Sequence, residues 1–247
     1  MKNTYINDKF LGGLPKVCVP VTDVTENEIL GKFDELKNAP MDLVELRADY
    51  FEFVHDKRKV KSLIEKIKKI YEKPLLFTLR TKKEGGVSDI DLDYYFELNN
   101  YIIKSRLIEL IDIEFYSNAE EVNNTVDLAR KNKVTTILSN HDFLKTPAEE
   151  EIIIRITKMT AYGDIAKIAV MSNSEEDVLT LLSAALKLKK EKKGPFIAIS
   201  MGPLGIISRI SCELLGSCMT YASYKVQSAP GQINVTLIKE LLNIVHN

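Results

Sequence analysis

The chain has 247 residues, with 34 Lys and Arg against 35 Asp and Glu, and a formal net charge of −1. A chain of this length can bury a core without disulfides or structural metals, and we predict one domain over residues 1–247. The balanced charge excludes the broad basic surface of nucleic-acid-binding proteins, but it permits a local basic pocket for a small anion.

Three cysteines, Cys18, Cys212 and Cys218, are too few and too scattered for a disulfide framework or a zinc site. The N-terminal segment has no apolar core of a signal peptide, and no window reaches about 18 consecutive apolar residues. We therefore expect a cytoplasmic protein with reduced thiols, no metal and no membrane association.

Short apolar runs alternate with longer amphipathic segments along the chain. Runs rich in Val, Ile, Leu, Phe and Thr predict eight strands, at residues 16–22, 42–49, 74–81, 107–115, 134–143, 164–172, 195–202 and 217–223. Between and after them, helices are predicted at residues 25–38, 56–71, 90–106, 118–131, 148–162, 174–190, 205–215 and 234–245. Thr25 followed by Glu28 is a capping-box pattern at the start of the first helix.

Strict alternation of strands and helices is typical of the α/β class with a parallel sheet. Eight such units within about 230 residues predict closure into a (β/α)8 TIM barrel. An open doubly wound sheet is the alternative, but no Gly-rich dinucleotide fingerprint follows the first strand. Residues 4–13 precede the first strand and could form a short N-terminal hairpin that closes the bottom of the barrel.

Polar side chains share one face of five consecutive predicted strands, where a core strand is usually apolar. They are Glu45, Arg47, Asp49, Thr78, Arg80, Asp112, Glu114, Ser139, His141 and Lys167. Each one alone is commonly structural, such as a lysine whose amine reaches the surface or a histidine satisfied within the core. Buried together they would cost several kcal/mol per unpaired ion, so the groups must pair or serve chemistry. Inward-facing residues near the carboxyl ends of barrel strands line an active site.

Lys167 has a definite use in such a cavity. A lysine that is flanked by other cations and removed from water loses its proton more readily, and it can then form a Schiff base with a ketone. His141 has a suitable proton affinity to deprotonate the adjacent carbon. Glu84, in a Gly-rich segment just past the third strand, is a candidate to fix the tautomer of His141.

An anion site is predicted after the last two strands. Gly202 and Gly205 permit close backbone approach, and Arg209 supplies a guanidinium fork that fits a carboxylate or a phosphate. The polar loop 223–232 could close over a bound ligand. The spacing of these residues does not decide between a carboxylate and a phosphate as the bound anion.

These residues lie in segments that together resemble the type I 3-dehydroquinate dehydratase family, Schiff-base enzymes of the shikimate pathway. The segments run in order at residues 45–49 (ELRAD), 77–80 (FTLR), 84–86 (EGG), 112–114 (DIE), 139–143 (SNHDF), 164–167 (DIAK), 200–202 (SMG), 208–209 (SR) and 228–232 (SAPGQ). The resemblance implies dehydration of 3-dehydroquinate to 3-dehydroshikimate by syn elimination, with no metal or organic cofactor. It also implies a homodimer.

The resemblance assigns a role to each matching residue. Lys167 would form the imine, and His141, oriented by Glu84, would remove the C2 proton and protonate the departing C1 hydroxyl. The residues that would bind substrate are Arg209, Ser228 and Gln232 at the carboxylate, Glu45, Arg47 and Arg80 at the ring hydroxyls and ketone, and Met201 against the ring. One departure is Pro20, at a position where some members carry a hydroxyl side chain.

Two other functions are compatible with parts of the pattern. A class I Schiff-base aldolase acting on a phosphorylated sugar would share Lys167 and the anion site, but the pairing of His141 with Glu84 favours C–H abstraction and dehydration. A non-catalytic barrel that binds a small carboxylic acid would be expected to lack the lysine or the histidine.

Overall fold

A parallel sheet that curls into a barrel is the centre of the computed structural model, which describes residues 14–246. Its strands are β1 (Lys16–Val21), β2 (Leu43–Arg47), β3 (Leu75–Thr78), β4 (Leu110–Glu114), β5 (Thr135–Asp142), β6 (Ile165–Met171), β7 (Phe196–Met201), β8 (Met219–Ser223) and β9 (Ile233–Asn234). Their order is β7-β6-β5-β4-β3-β2-β1-β8-β9. The barrel closes between β7 and the start of β8, where Cys218 N donates to Phe196 O over 2.8 Å, beside a parallel bridge from Phe196 to Ser217. The predicted (β/α)8 barrel is confirmed.

Helices connect successive strands. They are α1 (Glu26–Leu36), α2 (Lys57–Ile70), α3 (Leu92–Ser105), α4 (Ala119–Asn132), α5 (Glu149–Tyr162), α6 (Glu175–Lys190), α7 (Ile206–Ile210), α8 (Cys212–Leu215) and α9 (Val235–His246). The capping box at the start of α1 is present, with Thr25 and Glu28 exchanging hydrogen bonds. The predicted hairpin falls on residues 4–13, which lie outside the described residues.

Two predicted strands end earlier than expected. β2 ends at Arg47 and β3 at Thr78, and short 3-10 turns follow at Ala48–Tyr50 and Lys82–Glu84. Side-chain carboxylates replace the strand partners there: Arg80 N donates to Asp49 Oδ1 over 3.4 Å, and Thr81 N donates to Glu114 Oε1 over 2.8 Å. Arg80 therefore lies in a loop beyond β3 rather than within a strand.

The predicted helix at 205–215 is two short helices, α7 and α8, which meet at Ser211. The hydroxyl and the amide of Ser211 both donate to Ile207 O, over 2.7 and 2.9 Å. The helix interior thus ends where a serine side chain competes for a backbone carbonyl.

Most strands of the barrel change from apolar to polar along their inward face. An apolar layer at the bottom of the barrel takes one residue from each strand: Cys18, Leu43, Leu76, Leu110, Ile137, Ile165, Ile197 and Met219. Because the side-chain period of a strand is two, the next inward layer lies two residues further on. That layer is Pro20, Glu45, Thr78, Asp112, Ser139, Lys167, Ile199 and Tyr221. The alternate residues pack outward against the helices, as Val44 and Ile168 do.

Gly205 is required where α7 approaches the end of β7. A Cβ on Gly205 would lie 2.2 Å from Ser200 O, whereas a Cβ on Gly31, in α1, would meet no atom within 4 Å. We expect Gly205→Ala to lower the free energy of unfolding by roughly 1–3 kcal/mol, because the backbone must move apart. The control Gly31→Ala should raise it by up to about 1 kcal/mol, because alanine favours helix. Urea unfolding measures both, and an unchanged midpoint for Gly205→Ala would contradict the close approach.

Candidate active site

A cavity of about 650 Å³, partly open to solvent, lies at the carboxyl ends of the strands. Every residue predicted for the site lines it: Glu45, Arg47, Arg80, Glu84, His141, Lys167, Met201, Arg209, Ser228 and Gln232. The structure therefore brings the predicted residues together in one cavity. Their contacts define what each can do.

The Lys167 amine is buried at the floor of this cavity. Its Nζ lies 3.1 Å from Asp112 Oδ2, 3.9 Å from Glu45 Oε1 and 4.5 Å from the centroid of the Tyr221 ring. Contact between β6 and the nonadjacent β2 places the amine inside the barrel rather than among the helices. Its nearest charged neighbours are carboxylates, so the expectation that cations directly flank Lys167 is wrong. The physical reason is the inward layer itself, which brings Asp112 and Glu45 to the same level as Lys167.

His141 and Glu84 form a directly bonded pair. Glu84 Oε2 lies 2.9 Å from His141 Nδ1 and also accepts from the His141 backbone N–H over 3.1 Å. Asn140 Nδ2 donates to the other carboxylate oxygen of Glu84 over 3.2 Å, and Arg155 Nη1 donates to Asn140 Oδ1 over 2.9 Å. Because Glu84 accepts these bonds, Nδ1 carries the hydrogen and Nε2 is the basic nitrogen.

Burial sets the protonation of this pair. Burial, followed by the positive charges of Arg80 and Lys167, lowers the pKa of His141 well below its usual range. Burial raises the pKa of Glu84 to about 7, although Arg80 opposes that change. The imidazole is therefore neutral at neutral pH and can accept a proton.

Arg80 is the centre of a buried ion network. Its guanidinium lies 2.9 Å from Asp112, 3.1 Å from Glu114 and 3.6 Å from Glu84. Although burial opposes its charge, these carboxylates raise the pKa of Arg80 well above its usual value. Burial likewise opposes ionisation of Asp112, but Arg80 and Lys167 lower its pKa. Arg80 thus links the carboxylate beside Lys167 to the one that holds His141.

Arg47 also carries its own counter-ion. Its Nε and Nη2 each donate to Asp49 over 2.8 Å, and its guanidinium lies 5.0 Å from the centre of the Tyr50 ring. Glu45, on the same strand, accepts from the Thr78 hydroxyl over 2.8 Å. Both arginines at this side of the cavity are therefore neutralised by protein carboxylates.

Arg209 has no carboxylate partner within the described residues. The residue is 2 % exposed, and its guanidinium donates to Tyr221 O over 3.3 Å and to Pro230 O over 3.2 Å. Among residues 14–246 no carboxylate pairs with it, and its Nε has no hydrogen-bond partner. Burial alone lowers the pKa of Arg209 to about 10, which still leaves it charged at neutral pH. A buried guanidinium without a carboxylate partner is suited to bind an anion.

The loop after β8 closes the side of the cavity near Arg209. Ser228 N donates to Gln232 Oε1 over 2.8 Å, and Gln232 Nε2 donates to the Ser228 hydroxyl over 2.9 Å. Gly231 has a φ of +78°, and a Cβ there would lie 2.4 Å from Gly202 O. Glycine is therefore needed for this loop to rest against the end of β7.

Some lining residues escaped the sequence prediction. Tyr221, Phe143, Ala169 and Ile199 also contribute to the wall. Their inward register was available in principle, because Tyr221 follows Met219 by two residues as Lys167 follows Ile165. Pro20 lines the cavity too and supplies no side-chain donor there. Among the described residues, no three or more His, Cys, Asp or Glu side chains are placed so that they could hold a metal ion together. None of the helices between residues 14 and 246 is long and apolar enough to cross a membrane.

Comparison with known proteins identifies the family. The model of the type I 3-dehydroquinase family matches residues 17–247. The chain belongs to this family. It is 45% identical over 251 residues to the 3-dehydroquinate dehydratase of Clostridium novyi, covering 100% of this chain and 99% of that protein.

Solved structures of this family share the fold closely. The crystal structure of the type I 3-dehydroquinate dehydratase of Clostridium difficile with covalently modified comenic acid is 40% identical with a TM-score of 0.91, covering 95% of this chain and 93% of that one. The 3-dehydroquinate dehydratase of Geobacillus kaustophilus is 33% identical with a TM-score of 0.90, covering 94% and 91%.

The contrast between Arg209 and Arg47 in this type I 3-dehydroquinase predicts opposite effects on stability. Arg209→Met removes an uncompensated buried cation and should raise the free energy of unfolding by roughly 1–4 kcal/mol. Arg47→Met strands the buried carboxylate of Asp49 and should lower it by roughly 3–5 kcal/mol. Denaturant unfolding without ligand measures both. A destabilised Arg209→Met would show that the guanidinium is satisfied without an external anion.

Proposed function

We propose that this chain converts 3-dehydroquinate to 3-dehydroshikimate and water by syn elimination through a Schiff base on Lys167. The observation that carries the proposal is the shared cavity of a buried amine, a neutral imidazole bonded to a carboxylate, and a buried arginine without a counter-ion. The names of the relatives supply the substrate. The reaction would be a step of the shikimate pathway.

The first step is imine formation. The Lys167 ammonium gives up a proton, for which the adjacent carboxylates are the nearest acceptors, and the amine adds to the ketone carbon. The attacking nitrogen passes one proton to the former carbonyl oxygen and the carboxylate returns the other, so that oxygen leaves as water and the product is a protonated imine. Asp112, whose lowered pKa keeps it ionised, neutralises that positive charge.

The second step is proton abstraction and loss of the hydroxyl. His141 Nε2 takes a proton from C2, and the C–H electrons move into an enamine with the imine nitrogen as their sink. The imidazolium then protonates the C1 hydroxyl, which leaves as water while the imine is restored. One histidine serving both steps acts on one face of the ring, so the elimination is syn. Water finally hydrolyses the imine and releases the lysine.

Charge pairing orients the substrate. Arg47 and Arg80 already hold protein carboxylates, so they are suited to neutral hydroxyl or ketone oxygens, together with Glu45. Arg209 has no anionic partner between residues 14 and 246 and is suited to the substrate carboxylate, with Ser228 and Gln232 beside it. The buried side chain of Met201 would pack against the ring.

The remaining expectations belong to the same proposal. Because the lysine is the electron sink, the reaction requires no metal or organic cofactor. The enzyme is proposed to act as one domain over residues 1–247, as a cytoplasmic homodimer that binds neither nucleic acid nor membrane. Sedimentation of the full chain tests the oligomeric state.

Borohydride trapping tests the central residue. With 3-dehydroquinate present, we expect borohydride to inactivate the protein and to add the mass of the reduced ligand to Lys167, as located by peptide mass spectrometry. Lys167→Ala should show neither the adduct nor ultraviolet absorbance from the conjugated enone product, while Lys145→Ala, at an exposed position, behaves as wild type. Turnover in the wild type with Lys167 unmodified would remove the imine mechanism.

The Glu84–His141 pair predicts the pH profile. Because burial raises the pKa of Glu84 to about 7, this carboxyl is protonated at lower pH and then cannot accept the Nδ1 hydrogen as an anion. We expect kcat to rise as the pH increases through about 7 and to level off above it. Glu84→Gln should lower kcat by about tenfold or more and remove this rise. A wild-type profile that is flat from about pH 5 to 9 would contradict the assignment.

A further inference from the structure

Tyr221 contacts the reacting nitrogen, although no sequence motif drew attention to it. It lies on β8 in the same inward layer as Lys167, is 5 % exposed and lines the cavity. The Lys167 Nζ lies 4.5 Å from the centroid of its ring, within the range of a cation–π contact. We infer that Tyr221 is a further catalytic residue, whose ring stabilises the positively charged nitrogen of Lys167 as ammonium and as protonated imine. The inference rests on the proposed function.

The charge on this nitrogen changes during the reaction. The ammonium is cationic, the attacking amine and the carbinolamine are neutral at nitrogen, and the protonated imine is cationic again. A ring face attracts a cation but neither accepts its proton nor reacts with the ketone. It therefore favours the protonated imine over the neutral carbinolamine, and by the same attraction it favours the ammonium over the free amine. Asp112 at 3.1 Å supplies the opposite charge to the same nitrogen.

The backbone of Tyr221 has a separate task. Its carbonyl oxygen accepts from Arg209 Nη1 over 3.3 Å. One residue thus touches both the amine proposed to form the imine and the guanidinium proposed to hold the carboxylate. Side-chain variants change the ring and leave this carbonyl, so the two contributions are separable. Loss of the ring should affect kcat and imine trapping more than KM.

The phenol hydroxyl is not needed for this role. It is buried and, within the described residues, has no hydrogen-bond partner. An unpaired buried hydroxyl is a cost to folding rather than a gain. Phenylalanine keeps the ring face without that cost, so Tyr221→Phe is the matched control for loss of the ring.

The test compares full-length wild type, Tyr221→Phe, Tyr221→Leu and Tyr221→Met with 3-dehydroquinate. We expect Tyr221→Phe to retain kcat and the rate of borohydride trapping on Lys167 within about threefold. Tyr221→Leu and Tyr221→Met should lose about tenfold in both, with KM within about threefold of wild type. Thermal melting shows which variants are folded. If Tyr221→Leu is unfolded, Tyr221→Met takes its place as the variant without an aromatic ring.

The outcomes separate the two proposals. If wild type shows no trapped adduct, the Schiff-base function fails, whatever Tyr221 does. If wild type is trapped and a folded nonaromatic variant is trapped as fast, the role of the ring is overturned. A Tyr221→Phe as slow as Tyr221→Leu would assign the effect to the hydroxyl and would also overturn it, as would a raised KM with unchanged kcat.

Discussion

The site depends on the ion pair between Lys167 and Asp112 inside the barrel. Burying an ammonium costs several kcal/mol unless a counter-ion offsets it, and Asp112 Oδ2 at 3.1 Å is that counter-ion. Asp112 is in turn held by Arg80, which also contacts Glu84 and Glu114. The group proposed to form the imine and the carboxylate that holds the imidazole are therefore parts of one network. A displacement of Arg80 would disturb both.

The alternation of side chains along the strands explains how much of the candidate site could be predicted from the sequence. A period of two places Lys167 two residues after the buried Ile165, and Asp112 two residues after Leu110, so both face inward. The fold was predicted from the alternation of strands and helices. The inward face and the convergence of the charged groups were predicted from the side-chain period of two. Tyr221 obeys the same rule after Met219, but a tyrosine in an apolar strand looks like ordinary core.

Other features depend on contacts that spacing does not encode. The ends of β2 and β3 are set by Asp49 and Glu114, which capture the backbone N–H groups of Arg80 and Thr81. The charged groups beside Lys167 are set by how the strands align around the barrel. The sequence alone did not give this alignment, and carboxylates lie where cations were expected. Arg209 has no counter-ion in the part of the chain that the structure describes, which depends on all of its neighbours and not on a local pattern in residues 205–215.

Charge pairing then divides the cavity into two ends. At one end Arg47, Arg80 and Lys167 all contact protein carboxylates, so an incoming anion would meet Asp49, Asp112 and Glu114 close behind those cations. At the other end, the guanidinium of Arg209 donates to two carbonyl oxygens and has no carboxylate partner among residues 14–246. In the proposed function, this difference orients the substrate with its carboxylate at Arg209 and its ketone towards Lys167. The orientation of the proposed substrate therefore depends on which cations of the cavity already have protein carboxylates as counter-ions.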